Sequence, residues 1–132
     1  MNWQQYLLGK VAEEAVEVAK EALKNQSFGM ESIYQGVAAW EHLRHELIDL
    51  MSVTMMAADP EPRGLIPFAP VNQVVANQLG EKSDKVCYYA MFVYRAKQLT
   101  LTLDEFIIVH RRAMVYGAKH NLEYVGDITY HS

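Results

Sequence analysis

One cysteine, Cys87, serves the whole 132-residue chain. An internal disulfide and a thiolate metal cage are both excluded by that count. Positive charge is also scarce: twelve lysines and arginines face sixteen aspartates and glutamates, a net charge of −4. A grip on a nucleic-acid polymer needs a basic stripe, so no such partner is expected. No apolar run approaches the ~20 residues of a membrane span. Nor does a basic, apolar, small-residue leader open the chain, so the expectation is a cytoplasmic protein with no membrane contact. The GxxxxGK[ST] loop that cradles phosphates is missing, as is any convincing nucleophile–histidine–carboxylate set. Proline is absent outside one window, ADPEPRGLIPFAP, which holds Pro60, Pro62, Pro67 and Pro70.

What remains is a composition of 51% hydrophobic and 21% charged residues, ordinary for a soluble globular domain. The length suits one domain over 1–132. The proline window reads as a connector over 59–70 between helical halves at 1–58 and 71–132.

Hydrophobic periodicity places an amphipathic helix from about Trp3 to Lys24, with Asn2 as its cap. Val11, Ala12, Ala15, Val16, Val18, Ala19, Ala22 and Leu23 fill one arc; Lys10, Glu13, Glu14, Glu17, Lys20, Glu21 and Lys24 fill the rest. NQSFGMES reads as a turn. A second helix is expected over about Ser32–Ala58, with a loose start near Gly36. A short one follows over Val71–Leu79, ending near Gly80, then another over Glu81–Gln98. Thr102 and Glu105 form a capping box that opens the last, ending near Gly117. The tail LEYVGDITYHS has strand-like composition and nothing obvious to pair with. The expected fold is all-α, a bundle of about five helices.

Two acidic patterns carry the chemistry. Glu13, Glu14 and Glu17 form EExxE; Glu46 and Asp49 form ExxD. Residues three apart share a helix face, so each pattern sets two carboxylates side by side. Facing antiparallel helices would gather four at one place, an all-oxygen donor set suited to magnesium or manganese. Taken alone, EExxE among lysines reads as a solvated, salt-bridged face. ExxD is more telling, because Asp49 is the lone charge in LIDLMSVTMMA. A carboxylate on a covered stripe needs a partner, either a metal or a basic side chain in a structural ion pair.

These residues resemble a family. GKVAEEAVEVAKEAL, then HELIDLMSV after a 28-residue spacer over 18–45, looks like the MazG-like all-α nucleoside triphosphate pyrophosphohydrolases, and the size is similar to the compact phage-type members. The likeness covers about 9–56. It implies magnesium-dependent hydrolysis of a (deoxy)nucleoside triphosphate to monophosphate and pyrophosphate, with manganese as a substitute. It also implies metal ligation by Glu14, Glu17, Glu46 and Asp49, and a homodimer or homotetramer. Glu13 matches the first acid of the pattern, for which a water-orienting catalytic role is expected. One subgroup, the MazZ-type enzymes, takes guanine nucleotides, which extends the expectation to a guanine deoxynucleotide. A dimeric dUTPase-like enzyme, a phosphoribosyl-ATP pyrophosphohydrolase and a non-catalytic helical partner-binding protein stay open as alternatives.

Beyond that pattern, Lys82, Lys85 and Tyr89 fall on one stripe with Phe92, a candidate grip for phosphates and part of a nucleotide. Lys10 is expected to bridge to Glu14. Trp3 and Trp40 are candidates for base stacking or for core. His42 and His45 precede Glu46 and Asp49 by one turn each, but no ExxH pair occurs, which weakens a di-iron bundle.

Overall fold

The computed structural model describes residues 1–58 and 72–132. Four helices carry the described fold: α1 (Trp3–Phe28), α2 (Ala39–Ala58), α3 (Gln73–Arg95) and α4 (Leu103–Lys119), with a two-residue hairpin between the first two. The fold is all-α, as the periodicity predicts. The proline connector, 59–70, lies outside the described residues, as does Val71.

Caps set the starts. Asn2 accepts from the Gln5 amide at 2.8 Å and Gln5 returns the bond to Asn2; Thr102 and Glu105 make the same reciprocal pair. Such boxes satisfy amide donors that the first turn leaves free. The Asn72 side chain caps α3 through the Val75 amide. α1 runs four residues past the expected Lys24 and stops where Gly29 takes φ 92°, its amide bonded to Asn25 O.

Three expectations need correction. The helix expected from Ser32 begins at Ala39, because Ile33–Tyr34 and Val37–Ala38 pair as antiparallel strands. Gln35 and Gly36 between them both have positive φ (51° and 84°), the two-residue primed turn that a helix cannot contain. The two helices separated at Gly80 are one, α3, so there are four helices rather than five among the described residues. A glycine inside a helix costs only ~1 kcal/mol, and the burial of Leu79, Ser83, Val86 and Cys87 around it outweighs that. Gly117 does not end α4 either. A β-carbon there would lie 3.0 Å from Tyr88 Cε1, so the glycine serves close helix packing.

α1 packs on α2, α2 on α3, and α3 on α4. Trp3, Tyr6 and Leu7 of α1 join Val53 and Met56 of α2, Met91 and Tyr94 of α3, and Phe106 and Val109 of α4 in one core. Trp3 is therefore core, stacked on Tyr6. The tail forms no strand. Val125 and Ile128 enter the core, the Tyr88 hydroxyl donates to Glu123 O, and the Tyr94 hydroxyl to His131 O.

The orientation of α1 reverses what its amphipathic pattern suggests. Glu14, Glu21 and Asn25 are buried, while Ala12, Ala15, Val16, Ala19, Ala22 and Leu23 are exposed. Each inward polar side chain has a partner, though Asn25 Oδ1 has none among the described residues: Asn25 Nδ2 donates to Glu21 O and Ala39 O, Tyr34 donates to Glu21, and Lys82 reaches Glu14.

Candidate functional site

α1 and α2 face each other through carboxylates. Oxygens of Glu14, Glu46 and Asp49 lie within 4.8 Å of one another. The spacing that the sequence shows accounts for it: Glu46 and Asp49 sit one turn apart on α2, and α1 turns Glu14 towards them. Glu17, one turn beyond Glu14, stays at the edge with its side chain 47% exposed and bound to Lys20 at 3.4 Å. Its charge still bears on Glu46.

α3 supplies the counter-charge. Lys82 Nζ stands 2.5 Å from Glu14 Oε1 and 3.8 Å from Asp49 Oδ2, with only 13% of its side chain exposed. His45 Nε2 is 3.6 Å from the same Asp49 oxygen. The balance remains acidic. Burial, then the Asp49 and Glu14 carboxylates, raises the Glu46 pKa above its ordinary value. Burial raises Asp49 as well, against the pull of Lys82 and His45.

Beside the carboxylates opens a cavity of about 330 Å³ lined by His45, Asp49, Gln78, Glu81, Lys82, Lys85 and Tyr116. Lys85 thus stands where the stripe reading puts it, next to Lys82. Tyr89 does not line that cavity: it is 47% exposed and meets Tyr88 edge-on, with ring centroids 5.2 Å apart. Glu13 is outside the cluster too, its side chain 65% exposed and paired with Lys10 at 3.1 Å. Lys10 therefore bridges to Glu13 and not to Glu14, since successive helical residues point ~100° apart and Glu14 is the one turned inward. Trp40 is half-buried and, with His42, Glu46 and Gln78, lines a second hollow that shares His45 and Gln78 with the first.

Sequence reasoning missed Gln78, Glu81 and Tyr116. Tyr116 arrives from α4, and no spacing rule links it to Asp49. Gln78 and Glu81 lie within one turn of Lys82, so the lysine stripe extended one turn back would include them. Arg95 and Arg112 make ion pairs within the chain: Arg95 with Glu123 and Asp127, Arg112 with Asp84 at 3.1 Å. Cys87 is buried, its thiol pushed up to about 12 by burial, and is no nucleophile.

The donor set is chemically suited to a hard divalent cation. It offers carboxylate oxygens from two helices, with neither thiolate nor imidazole among the three gathered groups. Their mutual spacing lies near the span of one ion's coordination shell. No helix of the described residues is long and apolar enough to cross a membrane. Comparisons with protein families, with characterised proteins and with solved structures give no match.

Proposed function

We propose that the protein is a metal-dependent pyrophosphohydrolase of a nucleoside triphosphate, yielding the monophosphate and pyrophosphate, with a purine deoxynucleotide, guanine foremost, as the expected substrate. One observation carries the reading. Three carboxylates from two helices converge beside a cavity that holds two lysines. An acidic protein meets a triphosphate poorly, because both are negative; a cation held between them resolves the conflict.

Glu14, Glu46 and Asp49 would hold magnesium, or manganese in its place, with Glu17, one helical turn beyond Glu14, as the expected fourth ligand. Bound there, the ion supplies charge neutralisation for the triphosphate and a more acidic water. The chain's own residues do the rest. Lys82 and Lys85 bind non-bridging phosphate oxygens and orient the triphosphate along the cavity. Glu46, through the oxygen not turned to the ion, would accept the proton of the attacking water. The hollow beside Trp40, which shares His45 and Gln78 with the cavity, would take the base. Glu13, exposed and paired to Lys10, is given no part in this reading.

The ion pair of Lys82 with Glu14 favours a second reading, in which the cluster is structural and the protein binds a partner through its helices. Pyrophosphate release from the eight common ribo- and deoxynucleoside triphosphates, with magnesium or manganese, separates the two. Monophosphate and pyrophosphate from at least one nucleotide, lost in Asp49→Asn, supports hydrolysis. Silence across the panel with both metals sinks it.

A further inference from the structure

One ammonium group, that of Lys82, faces both the carboxylates and the cavity. Its Nζ stands 2.5 Å from Glu14 Oε1 and 3.8 Å from Asp49 Oδ2, so it bridges two of the three carboxylates that α1 and α2 gather. The same side chain lines the cavity of about 330 Å³ beside them, with Lys85 one turn further along α3. All three members of the bridge are largely buried, and salt screens such a pair less than one at the surface. A divalent ion about 2.1 Å from Glu14 Oε1 would stand no more than ~4.6 Å from that ammonium. Two cations at such a range repel, the more so where water is scarce. The cluster and the cavity thus compete for one positive charge.

We propose that Lys82 is a displaceable counter-ion: it gives up Glu14 and Asp49 to a divalent cation and turns into the cavity to meet phosphate. This role rests on the metal site of the hydrolytic reading and adds the order in which that site assembles. The pairing follows from charge. Glu14, Glu46 and Asp49 offer oxygens within 4.8 Å of one another, and carboxylates so gathered repel unless a cation stands among them. His45 reaches Asp49 at 3.6 Å, but its side chain is 57% exposed, so Lys82 is the buried counter-charge. The displacement follows from the side chain. Leu79 and Ser83, fully buried, fix α3 on either side, while the flexible four-carbon stem lets the ammonium swing without moving the helix. Once displaced, the ammonium needs an anion, and a phosphate oxygen in the cavity supplies one through a charge-assisted hydrogen bond. Metal and phosphate then reinforce each other, because each favours the same position of Lys82. A purely structural ion pair makes no such exchange.

Manganese titration of the full chain at pH 7, with the free ion followed by electron paramagnetic resonance, tests the displacement without nucleotide. Lys82→Met removes the competing charge and is expected to bind manganese about tenfold more tightly than the wild type, within the span of couplings at a shared site. Lys82→Arg keeps the charge and is expected to bind no more tightly than the wild type. Unchanged or weaker binding in Lys82→Met overturns the proposal, as does the absence of manganese binding in both chains. The wild type gives a second readout should Lys82→Met fail to fold. Lysines are acylated with a water-soluble active ester and quantified by peptide mass spectrometry, with exposed Lys97 as the reference. Saturating manganese is expected to raise the labelling of Lys82 several-fold relative to Lys97, and unchanged labelling at saturation overturns the proposal. Hydrolysis and displacement fail separately. Pyrophosphate release alongside manganese affinity indifferent to Lys82→Met sinks the displacement and spares hydrolysis. Tighter manganese binding by Lys82→Met, in a protein that hydrolyses none of the eight nucleotides, sinks hydrolysis and leaves the displacement standing.

Discussion

Replacing Lys82 with methionine keeps the length of the side chain and removes the charge that faces Glu14 and Asp49. Breaking a buried ion pair from one side costs ~3–5 kcal/mol, because the partner is left charged and uncompensated. Here 13% of the lysine side chain and 11% of Glu14 remain exposed, so water softens the loss and about 2–3 kcal/mol is expected at pH 7 without divalent metal. For a chain of this size that lowers the melting temperature by about 10 °C. The loss depends on pH. Asp49 already has a raised pKa, from burial opposed by Lys82 and His45; removing Lys82 raises it further. A carboxyl whose pKa is higher folded than unfolded takes up a proton on folding over the window that starts near its ordinary 3.8. Stability therefore falls as pH rises through that window, and the penalty is complete above the folded pKa. The other charged groups around Asp49 enter as well: Glu14 from α1, Glu46 and His45 from α2, Lys85 from α3. Urea unfolding of the variant and the wild type at pH 4.5 and pH 7 reads the difference. The variant is expected to lose less than half as much stability at the lower pH. Equal losses at both, or none at pH 7, would refute the assignment of Lys82 as the counter-charge of the cluster.

Magnesium or manganese at about a hundredfold over its dissociation constant stabilises the wild type by ~2.7 kcal/mol, seen as a melting shift absent with sodium at equal ionic strength; no difference between them counts against the metal. Asp49→Asn is expected to reduce pyrophosphate release at least a hundredfold with near-native helix content, and most of the activity surviving would remove Asp49 from the site. Gly80→Ala, at a helical position where an added β-carbon meets nothing within 4 Å, is expected to raise stability by ~0.5–1 kcal/mol in urea unfolding. Gly117→Ala is expected to lower it, since the new carbon meets the Tyr88 ring at 3.0 Å, and an unchanged midpoint would show that the ring yields.

Much of the fold was legible because it is locally encoded. The Asn2 and Thr102 caps, the apolar period of α2 and the spacing of Glu46 and Asp49 depend on neighbours within a few residues, and all stand as read. Gly80 was misread because a local penalty of ~1 kcal/mol competes with packing that spans the chain. The hairpin was hidden by its length: two residues per strand carry no period, and Gly36 alone signals the turn. In the candidate site, Glu14, Glu46, Asp49, Lys82 and Lys85 were named from spacing, and the structure brings them together. Glu13, Glu17 and Tyr89 were named by the same logic and stand outside the gathered set: Glu13 points ~100° away from Glu14, Glu17 turns to Lys20, and Tyr89 lies ~10 Å along the helix from Lys82.

α1 shows why its neighbours matter more than its own pattern. An amphipathic helix announces two faces but does not say which one turns inward. The apolar face goes inside when the opposing surface is apolar. Opposite α1 stand Lys82, the Tyr34 hydroxyl and the Ala39 carbonyl, which Glu14, Glu21 and Asn25 can pair with and alanine cannot. Burying Glu14 without Lys82 would cost several kcal/mol, so the lysine on α3 helps decide how α1 is turned. That coupling makes one substitution informative about both faces. If Lys82→Met lets α1 roll to bury its alanines, their exposure disappears together with the carboxylate cluster. If α1 holds its orientation, the cluster weakens while the alanines stay open to solvent. Alkylation of Ala19→Cys with and without Lys82→Met at pH 7 distinguishes the two, since buried Cys87 is silent. Undiminished labelling is the expected result, because Tyr34 on Glu21 and Asn25 on Ala39 anchor the far end of the helix independently of Lys82.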